Sequence, residues 1–216
     1  MLGVGLLAFL GIAGEVIEGA SRDFDERLVL AMREPGNPTD PVGPAWVEEL
    51  FRDFTALGGT AVLTLLTLAT AGYLWLRGMR HAAVFVATAV VGGLLLSSGL
   101  KAGFDRPRPD LVSQGSHVYT SSFPSGHSML AAVAYLTIGA LLAAVHRRRR
   151  VRAWILGWAV LITLLVGSSR VYLGVHWPTD VFAGWAAGAA WAAGCWLLAQ
   201  WLRERGRLES ETDPES

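Results

Sequence analysis

The fold class this sequence predicts is all-α: a polytopic membrane protein, six transmembrane helices in one bundle with a short interfacial helical cap. Three observations carry it. Of the 216 residues 52% are apolar, with nine tryptophans and a mean hydropathy of +0.41. Ionisable residues gather in a few short stretches, with long uncharged runs between them. Those runs show no barrel-type alternation, and inside lipid only helices or closed barrels satisfy the backbone.

The elements follow in chain order. The opening segment, 1–14, is short and apolar, and Glu15 and Glu18 come after it. It lacks a basic leader and an obvious cleavage site, so a short first span near 1–18 is expected rather than a cleaved signal peptide. Five longer runs follow at 57–76, 82–100, 128–145, 153–169 and 181–201. Each holds about 17–21 residues, and about 20 residues of helix cross a hydrocarbon core of roughly 30 Å. The whole chain then forms one membrane-embedded domain, ending in a polar tail over 203–216.

Arginines set the threading. Arg77 and Arg80 lie in one short connection, the block 147–150 with Arg152 in another, and Arg203, Arg205 and Arg207 follow the last run. If the spans alternate, all three places share a side. The positive-inside tendency makes that side cytoplasmic, together with both termini. The other side, the exterior or periplasm of a plasma (inner) membrane, receives 15–56, 101–127 and 170–180.

Residues 15–56 read as the cap. Phe24, Leu28 and Met32 recur at helical spacing until Pro35, Pro38, Pro41 and Pro44 interrupt. Trp46, Leu50, Phe51 and Phe54 then share one face of a second helix, suited to the membrane interface or to packing over the bundle. Cys195 stands alone, which excludes an intramolecular disulfide and a cysteine-clustered zinc site. No nucleic-acid motif is present. His81 and His146 sit beside arginines and His117 in a loop, all without a functional reading.

Chemistry concentrates in three polar islands, each abutting a membrane run. The first is KAGFDRPRPD, 101–110. Of 18 basic residues, Lys101 alone is lysine, a compact ammonium for which arginine's planar fork is no equivalent. Lys101, Arg108 and Arg170 bring three cations from two islands, and phosphate is the natural target for so many donors. The second is SSFPSGHS, 121–128. Ser121 and Ser122 read as solvated loop, with local capping as the alternative. Ser125, Gly126 and His127 open the run that follows. A helix N-terminus presents free N–H groups to an anion, and glycine permits close approach. The third is SRVYLGVHWPTD, 169–180. His176 and Asp180 are four apart, so the carboxylate can hold one ring nitrogen as N–H and leave the other as a lone-pair base or nucleophile.

Together the islands resemble the three signature motifs of the type 2 phosphatidic acid phosphatase superfamily, the lipid phosphate phosphatases. Lys101 is followed after six residues by Arg108-Pro109. Pro124-Ser125-Gly126-His127 comes next. Ser169-Arg170 is followed by His176 after five residues and Asp180 after three more. The resemblance implies a six-helix bundle and a phosphohydrolase needing no metal or cofactor. By resemblance His176 is the nucleophile, Asp180 its orienting partner and His127 the acid for the leaving oxygen. Lys101, Arg108, Ser125, Gly126 and Arg170 correspond to the phosphate pocket. The expected substrate is a lipid phosphate or diphosphate at the outer leaflet, undecaprenyl diphosphate foremost. Membrane lipids are the other expected partners, and nucleic acid is not one. A lipid phosphotransferase with the same chemistry, and a phosphate or phospholipid carrier without catalysis, remain open at the level of sequence.

Overall fold

The computed structural model describes residues 1–109 and 121–207. The chain forms eight helices among these residues: α1 (Leu2–Glu18), α2 (Arg22–Leu30), α3 (Ala45–Ala56), α4 (Thr60–Leu76), α5 (Arg80–Ala102), α6 (Gly126–Ala144), α7 (Arg149–Tyr172) and α8 (Pro178–Glu204). Between α2 and α3 lies a small antiparallel ribbon, β1 (Arg33–Glu34) and β2 (Asn37–Pro41). The proline-rich segment of the cap is therefore a two-stranded turn rather than only a break between helices.

Helices α5, α6, α7 and α8 are each long and apolar enough to cross a membrane. Two further pairs qualify only when each bent pair is taken as one span: α1 with α2, bent by 95°, and α3 with α4, bent by 48°. The count by length and composition is thus four to six. The outward faces are apolar, with Leu7, Leu65, Leu95 and Trp154 among the most exposed side chains. That is the distribution expected of a surface that faces lipid rather than water.

Helix α6 is the centre of the bundle. Met129, Ala131, Ala132, Val133 and Ala134 are all fully buried. Its closest neighbour is α8, and small residues set the approach. A Cβ at Gly188 would stand 2.6 Å from both the Ala132 Cβ and the Met129 carbonyl oxygen. One at Gly184 would stand 2.7 Å from the Ser125 carbonyl oxygen. Backbones this close are what small-xxx-small spacing permits in membrane helices. Ala159 of α7 packs equally tightly where α6 carries Gly139.

The cap docks on the C-terminal end of α7. Arg33 is buried and donates to the carbonyl oxygens of Val171 (3.4 Å) and Tyr172 (2.9 Å). A cation at a helix C-terminus satisfies orphan carbonyls and meets the negative end of the dipole. Tyr172 donates its hydroxyl to the Val42 carbonyl at 2.9 Å and stacks on Phe51 of α3.

Helix α2 differs from its expected form in two ways. It ends at Leu30, and its buried face is not Phe24–Leu28–Met32, since Phe24 is exposed. The inward stripe is Ser21, Asp25, Val29 and Arg33 instead. The inward positions combine these polar groups with Val29, which packs with Val171 and Val181, and Met32 lies against the same cluster.

Candidate active site

The three polar islands converge at one end of α5, α6 and α8. Lys101 occupies the last turn of α5. Ser125 is the N-cap of α6, accepting from the Ser128 N–H (3.5 Å) and hydroxyl (2.9 Å). Serine is favoured there because its oxygen satisfies an otherwise orphan donor. Helix α8 begins at Pro178, whose missing N–H costs nothing in a first turn. The Ser125 N–H donates to the Asp180 carbonyl at 2.9 Å, so the second and third islands are tied together through backbone.

His176 lies in the short turn between α7 and α8 and is 2% exposed. Its Nδ1 is 3.3 Å from Asp180 Oδ2, and its Nε2 is 3.1 Å from Arg108 Nη1. With Asp180 a carboxylate, Nδ1 carries the hydrogen and the Nε2 lone pair points to the guanidinium. Asp180 is wholly buried and also accepts the Trp177 N–H at 3.0 Å. Burial pushes the His176 imidazole down to about 4, although the Asp180 carboxylate pulls the other way.

The cations surround this pair. Arg108 Nη1 also donates to the Val175 carbonyl at 3.0 Å, while its Nε is buried without a partner among the described residues. Arg170 Nη1 donates to the Thr55 hydroxyl at 2.8 Å, and its Nε is likewise buried and unpartnered among the described residues. A buried donor without an acceptor is costly, so two such groups in one place suit a site built for an anion. Lys101 Nζ donates to the Ser121 carbonyl at 2.9 Å. Gly126 is what admits it: a Cβ there would stand 3.2 Å from Lys101 Cε. His127 is half-buried in the first turn of α6, within electrostatic reach of Arg170, His176, Lys101 and Arg108.

Every candidate residue of the sequence analysis therefore falls in one cluster. Ser122 departs from its expected role. It is fully buried rather than solvated and donates its hydroxyl to the Pro107 carbonyl at 3.1 Å. His117 lies outside the described residues, as does Asp110.

Sequence reasoning missed a second layer. Arg106 donates to Asp180 Oδ1 and to Asp25 Oδ2, both at 2.6 Å. Asp25 Oδ1 accepts the Thr179 N–H at 2.9 Å, and Asp25 Oδ2 accepts the Thr179 hydroxyl at 2.6 Å. The only local signal was a further arginine in DRPRP, two residues before Arg108.

Helical spans with an arginine–lysine pocket against a carboxylate-held histidine define a class of membrane phosphohydrolase. The PAP2 superfamily profile matches residues 81–204. The chain is 33% identical over 194 residues to phosphatidylglycerophosphatase B of Bacillus subtilis, covering 84% of this chain and 86% of that protein. It is 43% identical over 68 residues to an undecaprenyl-diphosphatase of Sulfolobus acidocaldarius, covering 32% of this chain and 29% of that protein. Its fold is similar to the crystal structure of a transmembrane PAP2-type phosphatidylglycerolphosphate phosphatase from Bacillus subtilis. The TM-score is 0.79 at 29% identity, over 94% of this chain and 96% of that one. The chain belongs to the PAP2 superfamily. It is an enzyme of the hydrolase class, a lipid phosphatase.

Proposed function

We propose that this protein dephosphorylates a lipid phosphate or diphosphate through a phosphohistidine at the outer face of a plasma membrane, without metal. Undecaprenyl diphosphate or a related lipid phosphate, such as phosphatidylglycerol phosphate, is the substrate. The observation that carries the reading is His176 held between Asp180 on Nδ1 and Arg108 on Nε2. That arrangement presents a lone pair to a cationic pocket.

In the first step Nε2 of His176 attacks phosphorus as the bond to the leaving oxygen breaks. Arg108 exchanges its bond to Nε2 for a phosphate oxygen, and Lys101, Arg170 and the amides opening α6 take up the rest of the charge. Phosphoryl transfer asks mainly for positioning and such electrostatic stabilisation. His127 gives its proton to the leaving oxygen. In the second step water attacks phosphohistidine, its proton passes to His127, and phosphate leaves. Ser125 caps α6 and so shapes the pocket.

A lipid substrate is supported by an apolar groove of about 460 Å³ between α1, α5 and α8. Leu2, Phe9, Leu96, Leu100 and Trp191 line it, and Leu100 adjoins Lys101. Six spans, α1 and α4 to α8, with the cap and pocket outside, is the threading that the apolar runs and the arginine asymmetry support.

The test is phosphate release by purified protein in detergent from undecaprenyl diphosphate, phosphatidylglycerol phosphate, phosphatidate and lipid A phosphate, with chelator present. Release from the first two is expected to exceed the others at least tenfold. A requirement for added metal, or no release from any lipid, would overturn the reading.

A further inference from the structure

We infer that Asp25, on the cap helix α2, is a positioning residue of the reaction, acting through Arg106 and Thr179 on Asp180. The inference rests on the proposed roles of His176 and Asp180 and adds a layer beneath them. Arg106, although it lies in the cationic island, is not part of the phosphate pocket.

Asp180 has two oxygens with separate duties. Oδ1 accepts from Arg106 Nη1 at 2.6 Å, and Oδ2 faces His176 Nδ1 and the Trp177 N–H. The carboxylate cannot tilt without breaking one set, so Arg106 fixes the orientation in which it meets the imidazole. Arg106 is committed in turn. Nη1 also donates to the Thr179 hydroxyl at 2.8 Å, and Nη2 donates to Asp25 Oδ2 at 2.6 Å and to Ser21 Oγ at 3.4 Å. Both terminal nitrogens are thus used by the protein, which leaves neither for a phosphate.

Asp25 completes the arrangement from 155 residues away, the difference between positions 180 and 25. It is 1% exposed and Asp180 is 0% exposed. Two buried carboxylates around one guanidinium hold it from opposite ends. Without Asp25 the guanidinium could turn both nitrogens onto Asp180, as a fork does with any carboxylate. Oδ2 would then be drawn from His176. Asp25 also accepts the Thr179 N–H, one of the free donors at the start of α8. It therefore fixes the helix that carries Asp180 as well as the cation that orients it. Outer-layer partners of this kind are worth about 10–100-fold where they orient a working histidine on a metal.

The experiment measures kcat and KM for one lipid phosphate, melting temperature, and phosphoprotein formed on rapid quench. Asp25→Asn and Arg106→Gln are each expected to lower kcat about 10–100-fold, with KM within about threefold of wild type. Arg108→Gln should instead raise KM. Asp25→Asn with Arg106→Gln should be no more than about threefold slower than Arg106→Gln alone, since members of one chain are not additive. The loss should be alike for alkyl and aryl phosphates, because Asp25 acts through the partner of the attacking imidazole and not on the leaving oxygen. Should Asp25→Asn fail to fold, Thr179→Val and Thr179→Ser decide. Valine removes the bridging hydroxyl and should lower kcat, and serine should recover most of it.

Wild-type kcat in Asp25→Asn, equal rates for the two Thr179 variants, or multiplicative losses in the double variant would overturn the inference. His176→Ala, run alongside, separates the two readings. If it still forms phosphoprotein, the assignment of the nucleophile has failed. If it forms none while Asp25→Asn turns over normally, only the positioning role has failed.

Discussion

His176 and His127 differ in surroundings as much as in proposed role. His176 is pinned on both ring nitrogens, whereas His127 stands half-buried at the head of α6. Their replacements should therefore behave differently. His176→Ala should abolish both turnover and acid-labile phosphoprotein. His127→Ala should lose about 10²–10⁴-fold with an alkyl phosphate, the usual range for a missing general acid. The loss should shrink with an aryl phosphate, whose leaving oxygen needs no proton. Equal losses on both substrates in rapid-quench assays would remove His127 from the acid role.

The same histidine predicts a pH response. An unfolded histidine titrates near 6.5, while burial holds His176 at about 4 in the folded protein. Between those values the unfolded chain binds the proton and the folded one does not. The contribution of this group to stability is therefore complete above about 6.5 and falls as the pH drops towards 4. The free protein should keep a neutral His176 through that window. Histidine-selective ¹⁵N NMR in detergent would show it, and a titration near 6.5 would contradict it.

At the scale of elements, the fit of α8 against α6 carries the site. Ser125, which caps α6, lies against Gly184 of α8. A methyl group at position 188 would collide with the Ala132 Cβ and the Met129 carbonyl, neither of which is a flexible chain end. Gly188→Ala should cost about 1–3 kcal/mol through overpacking. It should also reduce turnover, because Asp180 lies in the first turn of the displaced helix. Gly72→Ala, where a Cβ meets nothing within 4 Å, is the control. Melting temperature and activity in detergent read both, and a Gly188→Ala protein as stable as the control would show that the helices can part without cost.

At the scale of the molecule, one end is basic and the other carries the pocket. Arg77, Arg80, Arg147–Arg150 and Arg203 mark the first; Lys101, Arg108, Arg170 and the cap mark the second. Single cysteines at Thr39, in β2, and at Arg149, at the start of α7, in a Cys195→Ser background, should report opposite sides. An impermeant thiol reagent added outside intact cells should label position 39 and spare position 149. Labelling of both from outside would refute the proposed threading.

The sequence by itself determined the long apolar helices and the motifs that mark the family. Long uncharged runs mark α5 to α8 because the cost of charge in lipid is paid residue by residue. The His176–Asp180 pair stood out by its spacing, although His176 precedes α8 and Asp180 reaches back to it from the first turn. Lys101, Arg108, His127 and Arg170 stood out by type and spacing within short motifs. Only the tertiary structure decided the rest. The buried face of α2 followed polar pairing, which has no hydropathy period, so Phe24 pointed outward and Asp25 inward. Ser122 passed for loop because its partner, the Pro107 carbonyl, belongs to another island. Arg106 passed for a spare cation because both its carboxylates, Asp25 and Asp180, lie far from it along the chain. The number of spans likewise turns on two bends, of 95° and 48°. Periodicity and spacing report what neighbours in the chain do. Which distant groups meet is set by packing, and the orientation of His176 is decided there.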